Sequence, residues 1–188
     1  MNILLGSKSP RRRELLSGLD IPYQIVDIKS KENYPHNLKQ GDIPLFIARE
    51  KADAFRSQLK ADDLLITADT IVWCDNRMLG KPADRTEAIQ MLEQLSGKTH
   101  QVYTAICLTT TTQQEADVDC TDVTFEKLTR QQIEQYIDHY RPYDKAGAYG
   151  VQEWIGYVAV SKLNGSFYNV MGLPTHLLWK KIAQFLHN

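Results

Sequence analysis

The sequence has few cysteines, no long apolar run and no excess of either charge. Its three cysteines, Cys74, Cys107 and Cys120, are odd in number and widely spaced. This pattern argues against a disulfide framework or a set of zinc ligands, and it is typical of reduced thiols in a cytosolic protein. No apolar stretch approaches the roughly 20 residues of a transmembrane helix, and residues 1–6 are too short a start for a signal peptide. We therefore expect a cytoplasmic protein with no membrane partner.

The balance of charges limits the kinds of ligand that the chain can bind. Lys and Arg together number 22 and Asp and Glu 23, so the formal net charge is −1. A general nucleic-acid binder usually carries a basic excess, so we expect no nucleic-acid partner. An anionic ligand would have to meet a local cluster of cations, which favours a small molecule in a pocket. The length of 188 residues fits one α/β domain spanning 1–188.

The apolar patterns predict alternating strands and helices along the chain. Strands are expected at 3–5, 23–28, 64–73, 100–112, 115–127 and 158–163, with a short hairpin partner ending at 79. Helices are expected at 10–18, 43–59, 85–95, 130–140 and from 173 onward. Early alternation followed by a long hairpin indicates an α/β fold with a mixed β-sheet flanked by helices. The polar loop 29–40 is long for a compact domain, which suggests a functional role.

Three arginines occupy the first turn of the first predicted helix. The N-terminal end of a helix carries partial positive charge, so cations there are disfavoured unless an anion binds at the same place. Arg11 precedes Leu15 and Arg12 precedes Leu16 at four-residue spacing, so both arginines lie at the top of the apolar stripe. A solvated basic turn is the alternative, but this geometry favours an anion site.

Two further charges interrupt apolar patterns. Lys51 stands in a row with Ile47, Phe55 and Leu59 at four-residue spacing on the second predicted helix. It could extend to the surface, as most such lysines do, or reach a phosphate site. Asp69 breaks an apolar strand, and burying it ionised costs several kcal/mol, on the order of the penalty for an unpaired charge, unless a cation or metal compensates. The alternative is an aspartate at a strand end that reaches solvent.

Two other charged residues lie in predicted loops. Glu32 is part of the long polar loop, and Lys81 lies in a Gly-Lys-Pro turn. Each could simply be solvated. Together with Lys51, Asp69 and the arginines, however, they make up the cations and carboxylates needed to hold a divalent metal and a triphosphate.

Five segments resemble, in order, the motifs of the Maf family. The segments are 7–16, 68–72 followed by 80–82, 96–104, 144–152 and 169–174. One short motif would be weak evidence, whereas five in the same order over nearly the whole chain are strong. Departures are small: Gly6 replaces a common alanine, and Glu153 replaces a common glycine.

The resemblance implies a fold and an activity. The implied fold is an elongated mixed β-sheet flanked by helices, in two lobes with a central cleft, similar to inosine triphosphate pyrophosphatases. The implied activity is the house-cleaning hydrolysis of a nucleoside triphosphate to the monophosphate and pyrophosphate. It requires a divalent metal cation such as Mg²⁺ or Mn²⁺. A homodimer is compatible with the resemblance.

The resemblance also assigns roles to individual residues. Asp69 corresponds to the proton acceptor, and our own hypothesis is that Glu32 together with Asp69 holds the metal. The other catalytic positions correspond to Glu32, Lys51 and Lys81. The substrate-binding positions correspond to Ser7, Arg11, Arg12, Thr70 and Gln152.

The expected substrates are dTTP and UTP, with modified pyrimidine nucleotides as further candidates. Arg11, Thr70 and Gln152 match positions tied to base preference in the dTTP/UTP branch of the family. The amide of Gln152 offers a donor and an acceptor, which suits the imide edge of uracil or thymine. The alternative is a non-enzymatic nucleotide-binding regulator of cell division. In a mere binder, however, Glu32 and Asp69 would only repel the phosphates.

Overall fold

A mixed β-sheet runs through the computed structural model, which describes residues 1–30 and 33–186. Within these residues there are seven strands: β1 (Asn2–Leu5), β2 (Tyr23–Ile25), β3 (Asp63–Cys74), β4 (Arg77–Leu79), β5 (Thr99–Thr109), β6 (Gln114–Phe125) and β7 (Val160–Asn164). Their order is β2-β1-β3-β5-β6-β7, and β4 pairs with β3. β1 is parallel to β2 and β3, whereas β3–β4 and β6–β7 are antiparallel. This confirms the predicted mixed sheet.

Helices flank the sheet. The described residues form α1 (Pro10–Ser17), α2 (Asp42–Arg56), α3 (Arg85–Leu95), α4 (Arg130–Tyr140), α5 (Trp154–Ala159), α6 (Phe167–Met171) and α7 (Thr175–Leu186), with a 3₁₀ turn at Ala146–Ala148. Local sequence explains several of the boundaries. Pro10 occupies the start of α1, where its missing N–H costs nothing. Asp84 caps α3, and Thr129 forms a capping box with Gln132 at the start of α4.

The chain divides into two compact units. Unit 1 comprises residues 1–70, 104–119 and 172–188, and unit 2 comprises 71–103 and 120–171. In unit 1, β1 pairs in parallel with β2 and with the first half of β3. Helix α2 packs on these strands through small residues, and the core cluster consists of Leu4, Ala48, Ala52, Leu59, Leu65, Ala105 and Cys107. Small side chains on α2 let its backbone approach the strands closely.

Unit 2 has its own core. α3 packs against α4. Arg85 of α3 forms a bidentate ion pair with Asp138 of α4, in which Nε donates to Oδ1 at 2.7 Å and Nη2 donates to Oδ2 at 2.9 Å. The buried rings of His100, Phe125 and Tyr149 pack edge to face, with centroids 4.9 to 5.4 Å apart. Such contacts add to the stabilisation that comes from burying the ring area.

Most predicted elements are confirmed, but several end earlier than predicted: the strand predicted at 23–28 stops at Ile25, the helix at 43–59 stops at Arg56, and the strand at 100–112 stops at Thr109. α3 and α4 have the predicted bounds, and β3 with its short partner β4 is present as expected. The strand predicted at 158–163 is wrong at its start, because Val158 and Ala159 belong to the short helix α5. Gly156 in this helix approaches the preceding turn so closely that a Cβ there would lie 1.8 Å from the Val151 carbonyl oxygen.

Two features of the structure bear on membrane insertion and on disulfide bonding, namely the character of the helices and the state of the cysteines. Within the described residues, none of the helices combines the length and apolar character required to cross a membrane. Cys74, Cys107 and Cys120, all within the described residues, form no disulfide; Cys74 and Cys107 are buried and Cys120 is exposed. Burial raises the pKa of the Cys74 and Cys107 thiols, which keeps them protonated and unreactive.

We expect the stability of the protein to fall in mild acid because of His100. Burial lowers the pKa of His100 to about 4, its Nε2 lies 2.7 Å from the Tyr149 hydroxyl, and its Nδ1 is buried without a hydrogen-bond partner among the described residues. The unfolded chain therefore binds a proton that the folded protein excludes. The stabilisation is complete above about pH 6.5 and is lost as the pH falls toward 4, by up to about 3 kcal/mol.

Chemical denaturation at several pH values between 7 and 4 measures this effect. His100→Gln should lose less unfolding free energy over that range than the wild type, whereas His36→Gln, at an exposed position, should follow the wild type. Parallel curves for the wild type and His100→Gln would contradict the assignment.

Candidate active site

The middle of β3 places two adjacent polar residues in an otherwise buried strand. β3 is apolar and buried from Leu64 to Ala68, and exposure rises at Asp69 and Thr70 before Ile71 is buried again. Successive side chains of a strand point to opposite faces, so Asp69 and Thr70 present their polar groups on different sides of the sheet. Each of these side chains has its own set of partners within unit 1.

Asp69 is paired with Lys51 of α2. The Lys51 Nζ donates to Asp69 Oδ1 at 2.8 Å, and the two side chains are only 12% and 13% exposed. Lys51 therefore does not extend into solvent, and Asp69 is not an aspartate at a strand end. An ion pair this far from solvent cannot lose one partner cheaply, because the other charge would remain buried and uncompensated.

The hydroxyl of Thr67 fixes the position of α2 relative to β3. It donates to the Ala48 carbonyl oxygen at 2.6 Å, and both residues are fully buried. Ala48 lies three residues before Lys51, so the bond holds the turn of α2 from which Lys51 reaches Asp69. The geometry of the ion pair is thus set by packed, buried groups.

Arg12 joins three separate segments of unit 1. Its Nε donates to the Gly172 carbonyl oxygen at 2.8 Å, and its Nη1 donates to the Ala68 carbonyl oxygen at 2.9 Å. Nη1 also donates to Ser7 Oγ at 3.4 Å and Nη2 to Thr70 Oγ1 at 3.0 Å. A guanidinium has five N–H groups in a fixed planar arrangement, which suits this kind of cross-link. Arg12 thereby brings Ser7 and Thr70 to one place.

The loop before α1 is tightly packed. Ser7 is only 9% exposed, and its Oγ accepts a hydrogen bond from the Ser9 backbone N–H at 3.2 Å. A Cβ on Gly6 would lie 2.3 Å from Cδ1 of Ile28. Gly6 therefore leaves room for the Ile28 side chain, whereas an alanine at position 6 would require the end of that side chain to move.

Sequence reasoning missed one partner in this cluster, Thr104. It lies within the third motif-like segment, is fully buried, and its Oγ1 lies 3.0 Å from Thr70 Oγ1. A buried threonine in a β-strand rich in Thr and Val carries no distinguishing pattern, so only the fold identifies it. The shared hydrogen bond gives the Thr70 hydroxyl a second partner besides Arg12.

The remaining predicted site residues are placed as follows. Arg11 is half-buried in the first turn of α1, next to Arg12. In unit 2, Lys81 is exposed after β4, and Gln152 is half-buried before α5. The side-chain Oε1 of Gln152 is buried and has no hydrogen-bond partner among the described residues. The prediction for Glu32 falls outside the residues that the structure describes.

The described residues fit a metal that arrives with its ligand. In the described part of the chain, no group of three or more His, Cys, Asp or Glu side chains is arranged to hold an ion. Asp69 nevertheless supplies a carboxylate, and carboxylate oxygen is the donor that Mg²⁺ prefers. Mg²⁺ is commonly bound by one or two carboxylates together with substrate phosphates. The donor chemistry at Asp69 is compatible with that mode.

Comparison with known proteins adds independent information. The family model described as Maf-like protein matches residues 2–185. The chain is 52% identical over 183 residues to a dTTP/UTP pyrophosphatase of Bacteroides thetaiotaomicron, covering 97% of this chain and 95% of that protein. It is 52% identical over 188 residues to a dTTP/UTP pyrophosphatase of Porphyromonas gingivalis, covering 97% and 94%.

Similarity to a solved structure is weaker. A nucleoside-triphosphatase / dITP/XTP pyrophosphatase from Mycobacterium abscessus matches with a TM-score of 0.44 and 16% identity, covering 100% of this chain and 97% of that chain. A similarity this low supports no inference.

We expect Arg12→Met to destabilise the protein. The substitution removes the donors for the Ala68 and Gly172 carbonyl oxygens and for two hydroxyls. Loss of charged donors to such groups should lower the free energy of unfolding by about 2 to 3 kcal/mol. Urea unfolding measures the change, with Arg49→Met on the exposed face of α2 as the matched control, expected within about 0.5 kcal/mol of wild type. Equal stability of the two variants would contradict the role given to Arg12.

Proposed function

This chain belongs to the Maf family, and on that premise we propose that it is a nucleoside triphosphate pyrophosphatase that converts dTTP and UTP to the monophosphate and pyrophosphate. The observation that carries the proposal is the ion pair of Asp69 and Lys51 inside the sheet, with 2.8 Å between Nζ and Oδ1. Burying this pair carries a desolvation cost that an apolar residue at position 69 would avoid. The names of the two relatives support the choice of substrates.

Asp69 acts as the proton acceptor in this proposal. The oxygen of a water molecule forms a bond to the α phosphorus, and the bond from that phosphorus to the oxygen bridging to the β phosphorus breaks. The electron pair of the broken bond leaves with pyrophosphate, and the proton of the water passes to the Asp69 carboxylate. Lys51 holds the carboxylate in place, so that little reorganisation is needed during the reaction.

Positive groups of the chain stabilise the phosphates. Lys51 and Arg12 supply charge for the pyrophosphate that leaves, Lys81 stays a predicted third contributor, and the first N–H groups of α1 are suited to an anion. Arg12 has a second role in addition to its charge, because its donors hold Ser7 and Thr70. We therefore propose that Arg12 binds substrate partly through the residues that it positions.

A divalent cation such as Mg²⁺ or Mn²⁺ completes the proposed site. Asp69 would hold it, and Glu32 stays a predicted second ligand. When bound, the ion neutralises phosphate charge and polarises the phosphoryl group. This is compatible with a site in which most of the remaining ligands come from the phosphates and water.

Gln152 is the proposed reader of the base. Its buried Oε1 is an acceptor without a partner among the described residues, and its amide nitrogen is a donor. The imide edge of uracil or thymine presents an N–H between two carbonyl groups, which matches such an amide. In cytosine a donor and an acceptor on this edge are exchanged, so cytosine would leave buried polar groups of the site unpaired.

Two further properties stay proposals. A cytoplasmic location is supported by the free thiols and by the substrate, since nucleoside triphosphates are intracellular metabolites. A homodimer stays a prediction from the family resemblance.

The first test concerns Asp69. Asp69→Asn keeps the size of the side chain but removes the base and leaves the buried Lys51 charge uncompensated, so it should fold with reduced stability and lose about 10²- to 10⁴-fold in kcat. Pyrophosphate release from dTTP measures the loss, and circular dichroism checks the fold. Asp62→Asn, at an exposed position just before β3, is the matched control and should retain wild-type turnover. Unchanged turnover in Asp69→Asn would refute the assignment.

The second test concerns the substrates. In the presence of Mg²⁺, kcat/KM for dTTP and UTP should exceed that for dCTP by about 10²-fold or more, and chelation of the metal should abolish turnover of all three. Equal kcat/KM values for the three nucleotides would contradict the hypothesis that Gln152 selects the base. Nucleotide binding without pyrophosphate release would favour the non-enzymatic regulator.

A further inference from the structure

The residue that follows Gln152 belongs to a buried polar network in unit 2. Glu153 directly follows Gln152, and its carboxylate is only 18% exposed. One oxygen, Oε2, accepts a hydrogen bond from the hydroxyl of Tyr136, which lies on α4. The other, Oε1, lies 3.2 Å from Nζ of Lys145, whose side chain is 9% exposed. Both oxygens of Glu153 are thus engaged by groups distant along the chain.

The same network holds the backbone on the other side of Gln152. The Gly150 N–H donates to the Tyr136 hydroxyl at 3.0 Å, and the Glu153 N–H donates to the Gly150 carbonyl oxygen at 3.0 Å. Tyr136 is fully buried, and its hydroxyl serves as donor to Glu153 and as acceptor from Gly150 at once. Both ends of the short segment 150–153 are therefore hydrogen-bonded to the Tyr136 hydroxyl.

Close packing leaves this segment little freedom. A Cβ on Gly150 would lie 2.9 Å from Cδ of Glu153 and 3.1 Å from Cε of Lys145. Val151 is buried, so the backbone between the two fastened ends is also held by its apolar side chain. Lys145 has a second anion at 2.8 Å, the more exposed Asp144, so its charge is balanced without further partners. Gln152 is the member of the segment whose side-chain acceptor is buried without a hydrogen-bond partner among the described residues.

We propose that Tyr136, Glu153 and Lys145 are positioning residues that hold the backbone on either side of Gln152 and thereby set the discrimination between bases. The inference rests on the proposed function, because it concerns how the base-reading amide is held. An amide that shifts relative to the base can offer either its donor or its acceptor to the same edge, so discrimination between an imide and a cytosine edge requires a backbone that holds residue 152 in place. Loosening the segment should therefore weaken selection of the base more than it weakens the phosphate chemistry.

Tyr136→Phe tests the inference, with Tyr140→Phe as the matched control. Tyr140 stacks on Tyr136 from the same helix at 5.1 Å, so its variant removes a neighbouring hydroxyl and leaves the network intact. Tyr136→Phe should reduce the ratio of kcat/KM for dTTP to that for dCTP by about tenfold, mainly through a higher KM for dTTP. Tyr140→Phe should keep the wild-type ratio within about twofold.

Glu153→Gln provides a second variant should Tyr136→Phe fail to fold. It keeps an acceptor for the Tyr136 hydroxyl but removes the charge that Lys145 balances, so it should also lower the ratio. A purely structural role would lower the melting temperature and leave the ratio unchanged in the folded enzyme. An unchanged ratio in folded Glu153→Gln or Tyr136→Phe overturns the inference alone. Wild-type protein that releases no pyrophosphate from dTTP overturns the proposed function and this inference together.

Discussion

A carboxylate inside a β-strand is the constraint around which unit 1 is arranged. Asp69 is held in β3 at 13% exposure because Lys51 reaches it from α2, and Lys51 can do so only because α2 lies close to the sheet. That closeness depends on the small buried residues Ala48 and Ala52 and on the bond from Thr67 to the Ala48 carbonyl oxygen. The apolar core and the Asp69 carboxylate are therefore parts of one packing arrangement, and a change in either alters the other.

Arg12 donates its hydrogen bonds to oxygen atoms of the protein itself. Its partners include two backbone carbonyl oxygens, which belong to Ala68 and Gly172. Gly172 has a φ of 115°, a conformation that favours glycine, and a Cβ there would lie 3.8 Å from Nε of Arg12. The glycine thus presents its carbonyl oxygen to the guanidinium in a backbone conformation that other residues adopt at a cost.

Sequence patterns identified the charged residues of the candidate site but not the groups with which they pair. The interruption of apolar rows singled out Lys51 and Asp69, but the pairing of a helix residue with a strand residue 18 positions away follows only from the fold. The carbonyl partners of Arg12 have no sequence signature at all, since every residue has a carbonyl group. Among the elements, α5 was missed because it is six residues long, too short for a helical period, and contains Gly156 and the β-branched Val158.

The unequal exposure of the three cysteines makes Cys120 a single chemical handle on the folded protein. A maleimide or a fluorescent dye would attach at this one exposed position in β6, since Cys74 and Cys107 are shielded within the two cores. Cys107 belongs to unit 1 and Cys74 to unit 2, so the two shielded thiols would label only when their own unit opens. The protein thus carries, without any added tag, one reporter for each unit's local unfolding and one site for attachment.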